Sequence, residues 1–325
     1  MTDKLYKKFA QGLLIVRTKN GSFNSDFSGL PRRLPDNFGT IYATDKALKY
    51  CVRKYLVNKN EKIFVWRRYD ENGNPLNIDE NYKLVFGNEP SKDKKSVIIN
   101  LATATDVRLF GVTYAGDTNV SLTGTTQISY GVNKLDENLF FNNAILSPYA
   151  DVTAKEKGKA PKQQTLGNET KTLEAHYVYD FVINPNNLIN SLEFISNKER
   201  EKILLQESDI KLFKEAMCKG VSAVTSSSKI GSDSELFMFV EMKADEKDGK
   251  IESHILPLMK DLVKVSNKNG KTTIDLGDIF ASLATSYKRY IAGIELYYDN
   301  NATDIIGVDG LPINKKHIVT LEDIS

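Results

Sequence analysis

The run Gly12-Leu13-Leu14-Ile15-Val16 is apolar at every position and ends in branched side chains, so as a strand it must be covered on both faces. A chain that opens on such a strand has to build a sheet around it and pack further layers on each side. Beyond Arg17-Thr18 the run passes into a long loop, Lys19 to Pro35, made of glycines, prolines, small polar residues and the pair Arg32-Arg33. Leu48, Cys51, Val52, Tyr55 and Leu56 then recur at helical spacing and mark one buried stripe. Thr44 stands as the N-cap of that helix, and Asp45 lies in the first turn, where exposed amides and the dipole favour negative charge.

Charge is spread unevenly over this frame. Residues 1–60 hold 12 Lys and Arg against 4 Asp and Glu, a surplus of +8; because the 325-residue chain totals +2, the remainder sums to −6. A near-neutral total thus conceals a positive N-terminal portion, the footprint of a polyanion-binding surface. Lys46, Lys49 and Arg53 fall at i, i+3 and i+7, which stacks three cations away from the core with no acid four residues further on. On an isolated helix such a face is more often a solvated lysine surface. Here the flanks shift the balance, because amides freed by Gly and Ser beside Arg32 and Arg33 suit phosphate, to which guanidinium offers paired planar donors. Strand, loop and helix read as one anion-binding edge, with nucleic acid the first partner to consider.

Further along, Lys62–Trp66 and Lys83–Phe86 read as short strands about a turn at Glu71–Pro75, and Val97–Phe110 as a helix stopped by Gly111. A helix capped by Ser208, with Ile210, Phe213, Ala216 and Met217 inward, runs to Gly220. Leu236–Met242 and Tyr290–Tyr298 are the best late strands. Mixed elements without a solenoid-period repeat indicate an α+β fold. Residues 141–172, with Lys155, Lys157, Lys159, Lys162 and Lys171 and few core formers, read from composition as a surface loop. Ser226-Ser227-Ser228-Lys229 reads equally as a linker or as a close approach to phosphate.

Cys51 and Cys218 lie on apolar stripes outside any metal spacing and read as reduced core residues. His176, His254 and His317 stand in unrelated contexts, with His176 reading as a packed or solvated strand residue; no constellation for metal or nucleophilic chemistry emerges. There is no run long and apolar enough for a membrane span and no signal-peptide pattern after Met1, so the expected location is the cytoplasm.

Three ordered segments carry a family resemblance. Gly12 through the loop to Pro31-Arg32-Arg33 and the Thr44-Asp45 helix resembles the opening of CRISPR-associated backbone subunits. Asp106-Val107-Arg108-Leu109-Phe110-Gly111 looks like a signature of the type I-B branch of the Cas7 family, within the RAMP superfamily. Leu122-Thr123-Gly124-Thr125-Thr126-Gln127 is similar to the family's Thr-Gly-Pro-Val-Gln strand, with Thr125 where proline is usual. Thr165-Leu166-Gly167 and Tyr177-Val178-Tyr179 extend the likeness to about residue 220.

The resemblance implies a single RAMP-type domain over 1–325, with a ferredoxin-like, RNA-recognition-motif-type core, a fingers insertion at 59–112 and a thumb hairpin at 141–172. It implies a non-catalytic subunit of a type I-B Cascade complex that polymerises along CRISPR RNA, meets other Cascade subunits and presents the guide for pairing with target single-stranded DNA. No cofactor, metal or membrane enters that picture. The implied RNA contacts are Arg17, Asn20, Arg32, Arg33, Thr44, Lys46, Lys49, Arg53, Gln127, Ser227 and Lys229, with Tyr149, Lys162 and Leu166 on the thumb. Two other classes stay open: a single-strand endoribonuclease of the same fold using Asp26 or Asp36, and an interaction protein whose basic edge binds an acidic partner. Asp26 reads better as a turn residue whose carboxylate bonds local amides.

Overall fold

Leu13, Leu14, Ile15 and Val16 have no solvent-exposed surface, so the apolar run near the N-terminus is the centre of the molecule. The structure is a computed structural model that describes residues 4–150, 163–243, 246–247, 250–251, 256–268 and 270–324, by backbone alone at 147–150, 163–166, 246–247, 250–251 and 268. In chain order it contains β1 (Ala10–Gly21), β2 (Tyr42–Ala43), α1 (Asp45–Asn58), α2 (Ile78–Phe86), α3 (Lys94–Ala102), α4 (Thr105–Phe110), β3 (Gly111–Ala115) and β4 (Asn119–Thr123). Next come β5 (Thr126–Ile128), β6 (Gly131–Asn133), β7 (Phe140–Ala150), β8 (Gln163–Ile183), α5 (Asn186–Ser191), α6 (Asn197–Arg200) and α7 (Glu207–Lys219). The chain continues through β9 (Ser232–Met242), β10 (Glu246–Lys247), β11 (Lys250–Ile251), β12 (Lys264–Lys268), β13 (Lys271–Asp275), α8 (Gly277–Ser282), β14 (Ile291–Tyr298), β15 (Thr303–Ile306) and β16 (Asn314–His317).

The main sheet has the order β16-β14-β9-β1-β8-β6-β2, with β5 and β7 also paired to β8. β1 is antiparallel to both neighbours, so that Leu14 faces Tyr179 on one side and Phe237 on the other. α1 follows β1, and α7 lies between β8 and β9. Both cover one face of the sheet, where Leu14, Val16, Tyr179, Phe181 and Phe237 join Leu48, Val52, Phe213 and Met217 in one core. The opposite face, with Leu13, Ile15, Val178, Met238 and Val240, is covered by Ile274, Phe280 and neighbouring C-terminal residues. This is a mixed α+β fold. The two-sided cover explains why the central strands are apolar without alternation.

A third core gathers Phe64, Tyr82, Val97, Leu101, Val107 and Tyr114 of the segment after α1, together with Leu188, Leu192 and Ile195 that follow β8. Two expectations fail here. Lys62–Trp66 is not a strand, and Lys83–Phe86 is the end of α2. The aromatic and branched letters suggested strand, but Asn77 and Glu80 form a reciprocal cap: Asn77 Oδ1 accepts from the Asp79 and Glu80 amides, and Glu80 accepts from the Asn77 amide. The expected turn is present, with Gly73 at φ +80°. Val97–Phe110 is two helices rather than one, since Ala104 is extended and the Thr105 amide donates to Lys62 O at 2.9 Å. Gly111, at φ +75°, closes the second as expected.

α7 is capped at Gln206 instead of Ser208, because the Asp209 carboxylate reaches back to accept from the Gln206 amide at 2.9 Å. Its expected inward residues, Ile210, Phe213, Ala216 and Met217, are buried. Cys51 and Cys218 are free and buried, and burial pushes the Cys51 thiol up to about 11. Over 141–172, β7 and β8 form an antiparallel ladder from Phe140↔Thr172 to Ala150↔Gln163, so the described part is a paired hairpin rather than a loop. Lys155, Lys157, Lys159 and Lys162 lie outside the described residues, as does His254.

Candidate nucleic-acid interface

Two glycines let the end of β1 and the turn before β9 touch. A Cβ on Gly21 would meet Ile230 O at 2.8 Å, and one on Gly231, itself at φ +89°, would meet Lys19 O at 2.2 Å. The backbones therefore bond directly, Lys19 N to Gly231 O at 2.8 Å and Ser22 N to Ser228 O at 2.7 Å. Phe23, fully buried against Tyr177 at a ring separation of 5.8 Å, anchors the loop that follows. Asn24 Oδ1 accepts from the Thr44 amide at 2.9 Å, and Thr44 Oγ1 caps α1 through the Ala47 amide at 3.3 Å. End of strand, loop, serine turn and helix head are thus one connected edge. Phe23 and Asn24 organise it, and sequence reading passed over both; a phenylalanine within a polar loop was the available signal.

Four of the expected cations stand on this edge without a carboxylate partner among the described residues. Lys46 is exposed at the head of α1. Arg33 is exposed, donates to Gly39 O and to Asn138 O, and lies over the Phe140 ring at 5.0 Å. Arg32 is half-buried, and its Nε is buried with no hydrogen-bond partner. Lys229 donates to Phe23 O and sits over the Phe23 ring at 4.8 Å; burial pulls its amine below the usual lysine range. Ser227 is exposed beside it and helps to line a cleft of about 420 Å³. Asn20 is exposed at φ +52° where β1 ends.

Three other expected cations are already engaged. Arg17 bonds Asp233 at 2.6 Å and lies 3.7 Å from Glu235. Lys49 pairs with Asp45 at 2.9 Å, an acid that lies four residues before it rather than after it. Arg53 bonds Asp106 at 2.9 Å, and this fully buried carboxylate also accepts from the amides of Phe64 and Val65. The helix therefore does not present three free charges. Gln127 donates to Gly124 O, and its strand pairs with Val182, six positions along β8 from the His176 level of Arg17, about 20 Å away. It is not part of the edge. The side chains of Tyr149 and Leu166, and all of Lys162, lie outside the described residues.

The candidate catalytic aspartates are both turn residues. Asp26 Oδ1 accepts from the amides of Ser28 and Leu30, at 2.8 and 3.0 Å. Asp36 Oδ1 accepts from those of Phe38 and Thr40, and hydrogen bonds from Thr40 hold its carboxyl below the usual range. His176 is a packed strand residue, buried with Nδ1 2.5 Å from Glu235 and Nε2 3.4 Å from Glu174. Among the described residues no group of three or more His, Cys, Asp or Glu is arranged to hold a metal, and no helix is long and apolar enough to cross a membrane.

The family described as CRISPR-associated protein Cas7 matches residues 8–281. Among solved structures, a chain of a "CRISPR RNA-guided surveillance complex, pre-nicking" superposes with a TM-score of 0.52 at 9% identity, covering 96% of this chain and 98% of that one. A chain of a "CRISPR RNA-guided surveillance complex" gives 0.46 at 12% identity, covering 94% of each. No curated protein matches significantly. The family match runs from just before β1 into α8 and takes in the whole edge described above, and the chain therefore belongs to the Cas7 family.

Proposed function

We propose that this chain is a non-catalytic backbone subunit that holds guide RNA by its phosphates in a CRISPR RNA-guided complex. The observation that carries the reading is the set Arg32, Arg33, Lys46 and Lys229, four cations left without carboxylates among the described residues, on one edge whose parts are joined by backbone hydrogen bonds. Positive charge that a fold leaves unpaired is available to a polyanion, and phosphate contacts of this kind hold a strand without reading its sequence. The finer reading is a type I-B Cascade subunit in the cytoplasm, polymerised along CRISPR RNA beside other Cascade subunits, with target single-stranded DNA recognised by guide pairing. In it the β7–β8 hairpin acts as thumb and the segment at 59–112 as fingers. A ferredoxin-like core is supported by the order β9-β1-β8-β6, with α1 and α7 as the two crossovers.

The test compares wild type with Arg32→Glu/Lys46→Glu and with Gln127→Ala, measuring copurifying nucleic acid by absorbance ratio and particle size before and after RNase. The charge reversal is expected to lose RNA of every sequence alike and to collapse RNA-dependent oligomers, whereas Gln127→Ala behaves as wild type. Oligomers that survive RNase with no nucleic acid at any stage would favour the acidic-partner reading. Magnesium-dependent cleavage of long RNA, lost in Asp26→Ala, would overturn the non-catalytic one.

A further inference from the structure

A groove of about 800 Å³ lies between α1 and the segment that follows it, and its lining is unusual for a protein surface. Tyr50 of α1 and Trp66 stack with ring centres 5.1 Å apart and planes inclined by 18°. Tyr50 is 48% exposed, and Tyr69, also on the groove wall, is 56% exposed. Arg67 is exposed and is the one charged side chain in the lining, with no ion-pair partner among the described residues. Aromatic faces of this size are normally spent on a core or an interface. Here three of them line one groove with an uncommitted guanidinium and no carboxylate.

We propose that this groove is a stacking platform for unpaired bases of single-stranded RNA, an inference that rests on the guide-binding reading above and extends the phosphate-holding edge past α1. Flat π faces accept any base, and guanidinium holds the phosphate between them, a pairing that suits a strand bound without regard to sequence. Lys46 lies one turn before Tyr50 on the same face of α1, so the unpaired cations continue from the edge into the groove. That continuity favours a phosphate polymer over an apolar peptide. The platform is also held in place beforehand: the amides of Phe64 and Val65 are fixed on the buried Asp106 carboxylate, at 2.8 and 3.0 Å. Trp66, half-buried against the core below α1 and stacked on Tyr50, backs the exposed rings and holds them ready for a base.

Trp66 is the only tryptophan of the chain and so reports on its own site. The RNA-free chain is titrated with oligouridylate and, separately, with oligodeoxythymidylate, following tryptophan emission and, by anisotropy of labelled oligomer, affinity. Oligouridylate is expected to quench the emission to saturation. Tyr69→Ala, at an exposed position outside the cores, is expected to weaken RNA binding by about 5- to 150-fold, the range for losing one base–aromatic stack. Arg67→Ala is expected to make the salt dependence shallower by about 0.7 in log–log slope. Trp66→Phe keeps a ring in place and should retain most affinity while abolishing the signal. Oligouridylate binding with unchanged emission and wild-type affinity in Tyr69→Ala would overturn the platform while leaving guide binding intact. Absence of any RNA binding by wild type would overturn both, and quenching by the deoxy oligomer alone would overturn RNA as the occupant.

Discussion

Lys229 shows how much a single residue can say about a surface. A half-buried ammonium without a carboxylate destabilises the chain that carries it, and among the described residues this one meets Phe23 O and the Phe23 ring but no carboxylate. Because burial lowers its folded value below that of the unfolded chain, the penalty is fully present below the folded value. Between the two values the unfolded chain holds more protons, so stability rises with pH across that window. Lys229→Met is expected to flatten this alkaline rise and leave the chain at least as stable at neutral pH, while weakening RNA binding. Urea midpoints compared across the alkaline range, with binding measured alongside, check both halves; a variant less stable at neutral pH would show that the ammonium is there for the fold.

Among the elements, α1 and α4 are joined through Arg53, a charge that the sequence suggested for RNA. Asp106 accepts from Arg53 and two amides, and two residues later Arg108 grips Asp209 through Nε at 2.8 Å and Nη2 at 2.7 Å while also donating to Ala102 O and Thr103 O. One of the three segments that carry the family likeness is therefore a staple tying α1, α4 and α7 together. Asp106→Ala strands the Arg53 guanidinium and two amides, and is expected to cost about 3–5 kcal/mol, read as a lowered denaturant midpoint. β1, α1, α7, β9 and β14 were legible in sequence because burial on one or two faces dictates their composition. Arg17 and Arg53 were not, since their partners lie 216 and 53 residues away and local spacing carries no trace of them. α2 was misread because its cap, Asn77 with Glu80, was outweighed by the strand-forming letters at its end.

For the molecule as a whole, the basic N-terminal portion together with Lys229 is expected to set how strongly salt competes with RNA. With Arg32, Arg33, Lys46 and Lys229 each meeting a phosphate, log affinity against log salt is expected to fall with a slope of about −3 for a single strand. If Arg17, Lys49 and Arg53 exchanged their carboxylates for phosphates as well, the slope would approach about −5. A salt titration of RNA binding distinguishes the two, and the steeper value would mean that the ion pairs seen here open on binding. The surplus of +8 was visible in the letters, but how much of it is free depends on which acids the fold brings alongside.

β8 runs unbroken for 21 residues, with its first part paired to β7 and its later part laid between β1 and β6. At about 3.3 Å per residue it is a beam of about 70 Å, clamped in the sheet at one end and carrying the hairpin at the other. The ladder is not uniform along it, because the β7–β8 register slips between Ile145 and Leu146, beside Gly167 at φ +147°. On the guide-binding reading proposed above, a load taken at the hairpin would bend the ladder at this slip before it reached the hydrogen bonds beside Arg17 and His176.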